Sequence, residues 1–495
     1  MSALNKLKFN NSFARLPDEF FNPVKPQPLQ GAHLASLNTD VVNLLELGDI
    51  DFSNPAHLAA FSGHTLLDAM QPIAQCYAGH QFGQFVPRLG DGRAIMLGEL
   101  ETQYNGKWDL QIKGSGPTLY SRGADGRAVL RSTIREYLCS EAMHNLGIAS
   151  SRALCIIASD EEVYREQIES GAMLLRVSPS HVRFGSFEYF YHNNRFEHVK
   201  TLADYVIDSY YTELKDANNP YLALLSEVIK RTAKMIAAWQ AVGFSHGVMN
   251  SDNMSILGLT IDYGPYGFMD AYEPGFVCNH SDHQGRYAFD QQPSIGLFNL
   301  TCLAQALLPL FDDDGTTAAN IARAELDNYQ HAYIEEFSQQ MRGKLGLQLQ
   351  RDEDQAIMQE LLDLMADDKV DYTILFRQLS KFSTLEKQYN TNIRDHFIQQ
   401  DAFDAWADKY AARLKHEPGS DTERAKAMNK VNPKYILRNY MAEAAIRKAE
   451  DEKDYSEIDR LLELLRKPFD EQPEYEQYAG LPPDWAQKIS VSCSS

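Results

Sequence analysis

The chain has 495 residues, 44% hydrophobic and 23% charged, the balance of a globular enzyme of roughly two to four domains. Its 47 basic and 68 acidic residues leave a formal net charge of −21, which argues against nucleic acid as a main partner, because phosphate neutralisation needs a basic surface. No run of about 18 apolar residues suggests a membrane span, and the cysteines at 76, 139, 155, 278, 302 and 493 lack the CxxC spacing of a zinc site or a disulfide framework.

The opening MSALNKLKFNNSFARLPDEF lacks the apolar stretch of a secretory signal, so a reducing cytoplasm is the expected compartment. Residues 1–75 are rich in Pro and Asn and read as an extension packed on a core. From residue 82 the pattern turns strand-like. FGQFVPRLGDGRAIMLGEL predicts two short strands around a Gly-Asp-Gly turn. Asn105-Gly106 is a strong hairpin signal and leads into KWDLQIK, where Trp108, Leu110 and Ile112 alternate with Asp109, Gln111 and Lys113. That alternation predicts a half-buried strand with Lys113 on its polar face.

In AVLRSTIREYLCSEAMHNLG the period changes: Leu130, Ile134, Tyr137 and Leu138 follow helical spacing, and Gly147 stops the helix. A second helix is expected over 222–241, carrying Val228, Thr232, Met235, Ile236 and Trp239 on one face, with Gly243 closing it. Beyond about 300 the chain reads as mostly helical, for example through Ile357, Leu361, Leu364 and Met365, and through Ile458, Leu461, Leu462 and Leu465. The segment 412–430 reads as a polar loop. A small β-rich part precedes a large helical one.

Three clusters carry chemistry. Gly90-Asp91-Gly92-Arg93 would let backbone N–H groups approach phosphate oxygens, although the same pattern makes an ordinary turn; Gly114-Ser115-Gly116 and Asp125-Gly126 form a second such cluster. Lys113 at a strand end and Glu136 on the next helix repeat the order in which kinases pair a phosphate-gripping Lys with a Glu. The strongest cluster is SHGVMNSDNMSILGLTIDYGPYGFMD (245–270). Asn253 stands seven residues after His246, at the spacing of a kinase magnesium-binding Asn, and Asp262-Tyr263-Gly264 matches the Asp-Phe-Gly metal motif.

The kinase catalytic Asp, however, is replaced by Val248. Asp252 is the carboxylate of this loop free to act as a base, and His246 is expected to be structural. Magnesium takes hard oxygen ligands, which Asn253 and Asp262 supply. Arg176 and Arg183 suit phosphate oxygens, but surface arginines are often merely solvated. His280, Asp282 and His283 in NHSDHQG read as a polar loop rather than a metal cluster, their spacing fitting no zinc motif. Cys493, near the chain end, finds no partner in composition alone.

Together, YAGHQFGQFVPRLGDGRAIMLGE, LQIKGSGPTLYSRGADGRAVLRSTIREYL, the 245–270 segment and the terminal CSS resemble the selenoprotein O family, also called YdiU, over nearly the whole chain. The resemblance implies an α+β, protein-kinase-like two-lobed fold with a small β-rich N-lobe, a large helical C-lobe and terminal extensions. The expected division is an extension (1–75), a nucleotide-binding N-lobe (76–180), a helical C-lobe with the catalytic and metal loops (181–450) and a helix with a redox tail (451–495).

It further implies transfer of AMP from ATP to Ser, Thr or Tyr hydroxyls of protein substrates with release of pyrophosphate, ATP being held reversed relative to kinases. Asp252 would be the proton acceptor, with Asn253 and Asp262 as ligands of Mg2+, or of Mn2+. Gly90, Gly92, Arg93, Lys113, Asp125, Gly126, Arg176, Arg183 and Asp262 would contact nucleotide, and Lys113 would pair with Glu136. Bacterial relatives keep cysteine where some eukaryotic ones carry selenocysteine, and the family's link to redox control implies a disulfide between Cys493 and Cys278. A monomer in a bacterial cytoplasm is expected. UMP transfer from UTP with Mn2+, a kinase with Asp252 as a displaced base, and a non-catalytic scaffold remain the alternatives.

Overall fold

The computed structural model describes residues 3–492. Its first half builds one antiparallel sheet. In chain order come β1 (Lys8–Phe9), β2 (Phe21–Pro23), β3 (His33–Leu37) and β4 (Ile73–Gln75). A separate hairpin of β5 (Gly79–Gln81) and β6 (Gln84–Val86) follows, then β7 (Ala94–Glu101), β8 (Lys107–Lys113), β9 (Ala128–Val129), β10 (Arg152–Tyr164) and β11 (Ile168–Ser178). The spatial order is β2-β4-β7-β8-β11-β10-β3, with β1 added on β7 and β9 on β11. Residues 8–37 thus enter the sheet itself.

Both faces of the sheet are covered. Leu110, Ile112, Leu175 and Val177 share a core with Val41, Leu45, Phe52 and Phe61, the last four lying on or between the short helices α1 (Thr39–Leu44) and α2 (Pro55–Phe61) or flanking them. The other face meets α3 (Leu130–Asn145), which is buried along nearly its whole length. Here the reading of 107–113 needs correction. Its polar face is not solvated: Asp109, Gln111 and Lys113 are all buried. Asp109 accepts the His181 N–H at 3.0 Å, Gln111 accepts from Arg176 at 3.1 Å, and Lys113 reaches Glu136 on α3. Buried polar groups persist when they are paired in this way.

Two further expectations change. The strands flanking Gly90-Asp91-Gly92 do not pair with each other, since β6 pairs with β5. The segment is a connection tied to β4, because Asp91 donates its N–H to the Gln75 carbonyl and accepts the Gln75 N–H on its carboxylate, both at 3.0 Å. The 412–430 stretch is mostly helical, being occupied by Gln400–Leu414 and Asp421–Met428. A capping box starts the second of these: Ser420 accepts the Glu423 N–H while Glu423 accepts the Ser420 N–H, which is how so polar a stretch enters a helix.

The helical body begins with α4 (Phe184–His192), α5 (Phe196–Tyr210) and α6 (Pro220–Val242). Gly243 closes α6 in the left-handed conformation and hands the chain to β12 (Phe244–Ser245), which pairs with β13 (Gly267–Phe268). Between these two strands lies the loop carrying Asp252, Asn253 and Asp262. Phe289–Leu310, which contains α7 (Gln292–Leu307), has a mean hydropathy of 1.3 and is long enough to cross a bilayer by length and composition. In this fold α7 is a core helix. Its Gln292 accepts the His246 N–H and donates to the Phe244 carbonyl, and its Asn299 donates to the Met249 carbonyl, so it fixes the loop from behind.

Candidate active site

Between the sheet and the β12–β13 loop lies a cavity of about 720 Å3. Its lining includes Gly90, Gly92, Arg93, Lys113, Asp125, Gly126, Arg176, Arg183, Asp252, Asn253 and Asp262. Glu136 lies behind this wall on α3.

Strand register assembles the cationic side. Lys113 ends β8 beside Leu174, and Arg176 follows on the same face of β11, opposite Gln111. Glu136 is shared between them, at 2.5 Å from Lys113 Nζ and 2.6 Å from Arg176 Nε. Burial alone would raise the Glu136 carboxyl, but Arg176 and Lys113 hold it below its ordinary value. Lys113 moves down to about 8, because burial disfavours its charge and Arg93 and Arg176 repel it, against the pull of Glu136.

Arg176 also reaches Asp262 at 2.9 Å. Arg183, the residue before α4, donates from Nη1 to the Asp252 carbonyl at 2.8 Å and to the Asp262 carboxylate, and its guanidinium lies over the Tyr77 ring at 4.7 Å. Asp262 therefore stays ionised: burial pushes its carboxyl up, but Arg183, Arg176 and Lys113 hold it well below the carboxylate range. Its φ of 56° is left-handed for a non-glycine residue, a conformation that persists where the surroundings enforce it, here through the two arginines.

Asp252 is the opposite case. Burial pushes its carboxyl up to about 7, partly countered by Arg183 and by a hydrogen bond from Gln81. Gln81 Nε2 meets Oδ2 at 3.2 Å, while Oδ1 is buried without a partner. Asn253 donates to the Val248 carbonyl at 3.0 Å, and no hydrogen bond to its Oδ1 is found among the described residues. These oxygen donors suit a hard divalent cation, and the orphaned Asp252 Oδ1 is an atom that such an ion would satisfy.

The glycine side is tight. Gly90 has φ 101°, and a Cβ there would enter the Tyr120 ring, so the wall comes this close only without a side chain. Gly126 accepts the Gly116 N–H at 3.2 Å, which joins the two parts of the second glycine cluster. Asp125 is held bidentately by Arg165 at 2.8 and 2.9 Å and stands at the rim. His246 is structural, as expected, hydrogen-bonded to the Ile261 carbonyl and stacked on Trp239. Residues 279–285 form a loop in which Asp282 accepts the N–H groups of Arg286 and Tyr287.

Several site residues escape sequence reasoning. Gln81, Tyr77, Tyr120 and Arg165 also line the cavity. A Gln on a three-residue strand has no period to mark it, and the nearest signal is the YAGHQFG motif around it. Cys278 is buried and touches Ser245. Cys493, expected to pair with it, lies outside the described residues.

Paired buried cations and carboxylates around one cavity, with hard oxygen donors beside them, are the equipment of a group-transfer enzyme. Comparison with known proteins supplies the family: residues 3–466 match the family described as "Protein adenylyltransferase SelO". The chain is 56% identical to the "Protein nucleotidyltransferase YdiU" of Thioalkalivibrio sulfidiphilus (strain HL-EbGR7), with all of both chains covered. It is 53% identical, over the same full coverage, to the protein of that name from Myxococcus xanthus (strain DK1622). This chain belongs to the SelO/YdiU family of protein nucleotidyltransferases.

Proposed function

We propose that this protein transfers AMP from ATP to hydroxyl side chains of proteins, releasing pyrophosphate, and that its sheet and helical body act as the two lobes of a kinase-like fold. One observation carries the reading: Lys113, Arg176 and Arg183 converge on the cavity in which Asp252 sits with a carboxyl near 7. Three cations offset the charge of a triphosphate. Asp252, half-ionised at neutral pH, is matched to accept a hydroxyl proton as the hydroxyl oxygen attacks the α-phosphorus. The bond to the β-phosphate bridging oxygen breaks and pyrophosphate leaves. Gly90, Gly92, Arg93, Asp125 and Gly126 position the nucleotide. Asn253 and Asp262 would hold Mg2+, which offsets phosphate charge when bound. Arg183, Arg176 and Lys113 keep Asp262 ionised for that task, with Glu136 orienting the last two.

Cys278 and Cys493 complete the proposal as a redox pair. Its support is the path of the tail: the His280 N–H donates to the Val491 carbonyl at 2.8 Å, and Val491 is buried. Oxidation of both thiols to a disulfide by an external thiol oxidant would tie the tail to the floor of the catalytic loop, since Cys278 lies directly under Gly247.

The test is label transfer. Purified protein with Mg2+ and ATP labelled on the α-phosphate is expected to label protein, while γ-label stays in solution and Asp262→Ala transfers neither. Protein label from γ alone would make it a kinase. Binding without transfer would leave a scaffold, and preferential labelling from UTP with Mn2+ would move the assignment to UMP transfer.

A further inference from the structure

Beside the catalytic loop, and outside the lining of its cavity, three side chains from three elements converge. His80 comes from β5, Glu188 from α4 and Cys302 from α7, and their ligand atoms all lie within 4.8 Å of one another. His80 Nδ1 meets Glu188 Oε2 at 2.5 Å. Glu188 has no exposed surface, and its other oxygen, Oε1, is buried without a hydrogen-bond partner. An unsatisfied buried carboxylate oxygen is costly, and no donor among the described residues relieves it. Cys302 is buried, and burial pushes its thiol up to about 12, so the thiol is neutral unless something replaces its proton.

We propose that His80, Glu188 and Cys302 form a binding site for a divalent transition cation of the zinc class, separate from the oxygen donors of the catalytic loop. Imidazole, carboxylate and thiolate are the donors such ions take, whereas Mg2+ avoids sulfur. One carboxylate and one thiolate with a neutral imidazole balance the two positive charges. Binding expels the thiol proton, and His80 binds as the neutral tautomer whose Nδ1 carries no hydrogen, with no change of oxidation state. The His80 side chain remains 16% exposed, which leaves an entry path and room for water at a fourth position.

The surroundings say what the ion would do. The His80 N–H donates to Ser251 Oγ at 2.7 Å. Next to it, Gly79 lies against the Asp252 carboxylate, and Gln81 holds that carboxylate. On α4, Gly185 packs so closely on the Ala78 carbonyl that a Cβ could not fit. A cation here staples the β5–β6 hairpin to α4 and α7 and thereby holds Gln81 in place over Asp252.

The test uses the full-length chain, stripped of metal and titrated with Co2+ or Zn2+ under excess Mg2+ that keeps the catalytic oxygens occupied. One equivalent is expected to bind, with a thiolate-to-cobalt charge-transfer band and a higher melting temperature. Cys302→Ser should abolish the band, and Cys278→Ser should leave it intact. If Cys302→Ser folds poorly, Glu188→Gln replaces it, keeping the band while weakening affinity by roughly 10-fold or more. Absence of stoichiometric binding, a band that survives Cys302→Ser, or stabilisation without a band overturns the proposal.

Discussion

Gln81 Nε2 donates to Asp252 Oδ2 across 3.2 Å, and this contact adds to the Arg183 charge in lowering the proton affinity of a carboxyl raised by burial. Below about pH 7 the acid form dominates and cannot accept a proton. Transfer should therefore rise with pH, reach half its plateau near pH 7, and level off above it, as read from kcat/KM against pH. Gln81→Leu removes a hydrogen bond that favours the ionised form and should move that midpoint upward.

Asp252→Asn should reduce transfer by about 10²–10⁴-fold, the usual contribution of a positioned general base, while nucleotide binding persists. The same change should stabilise the nucleotide-free protein. The folded state holds the Asp252 proton up to about pH 7, whereas the unfolded chain releases it near the ordinary carboxylate value, so this residue's contribution is full at low pH and is lost as pH rises through 7. At pH 8 the variant should be more stable by ~4 kcal/mol, seen as a higher Tm, and the gain should vanish below pH 4.

Arg183 serves the Asp252 carbonyl and the Asp262 carboxylate from one nitrogen and still faces the cavity. A lysine cannot reproduce that fork. Arg183→Lys should lower kcat by about 10²-fold or more, with smaller losses in folding stability, as steady-state kinetics beside thermal melts would separate.

Lys113, held at about 8 by burial beside other cations, should regain its full charge when phosphates arrive. Nucleotide binding at pH 8 is expected to take up roughly half a proton, measurable as a dependence of the binding enthalpy on the ionisation heat of the buffer. Lys113→Arg, charged throughout, should abolish the uptake.

Cys493→Ser should remove any difference in activity between oxidised and reduced protein, and mass spectrometry of the oxidised wild type should find Cys278 and Cys493 in one cross-linked peptide pair. Identical activity of the wild type in both states would rule out the switch.

Much of this site could be read before any coordinates. Lys113, Glu136, Asn253 and Asp262 stand at informative spacings, and the strand of Lys113 and the helix of Glu136 form where periodicity puts them. The errors have a common origin. Alternation in KWDLQIK correctly marks two faces, but pattern alone does not reveal that the polar face is turned inward onto α3, where Glu136 and Arg176 complete its hydrogen bonds. Likewise Arg176 and Arg183 look like ordinary surface arginines until register and the start of α4 bring both to Asp262. Gln81 depends wholly on tertiary placement. Local signals identify elements, whereas long-range pairing decides which polar residues share a pocket.

The edge strand β3 has a bearing on the order of synthesis. Ser36 donates to Asp459, 423 residues away in sequence, His33 meets Tyr455, and Arg466 pairs with Asp40. A ribosome makes β3 almost first and its partner helix, Ser456–Leu465, near the end. The sheet that carries Lys113 and Arg176 thus waits for nearly the whole chain before its border is closed, with an unpaired edge exposed meanwhile. Chains cut short before residue 456 should be prone to aggregate, even though every residue of the proposed nucleotide site has already been made.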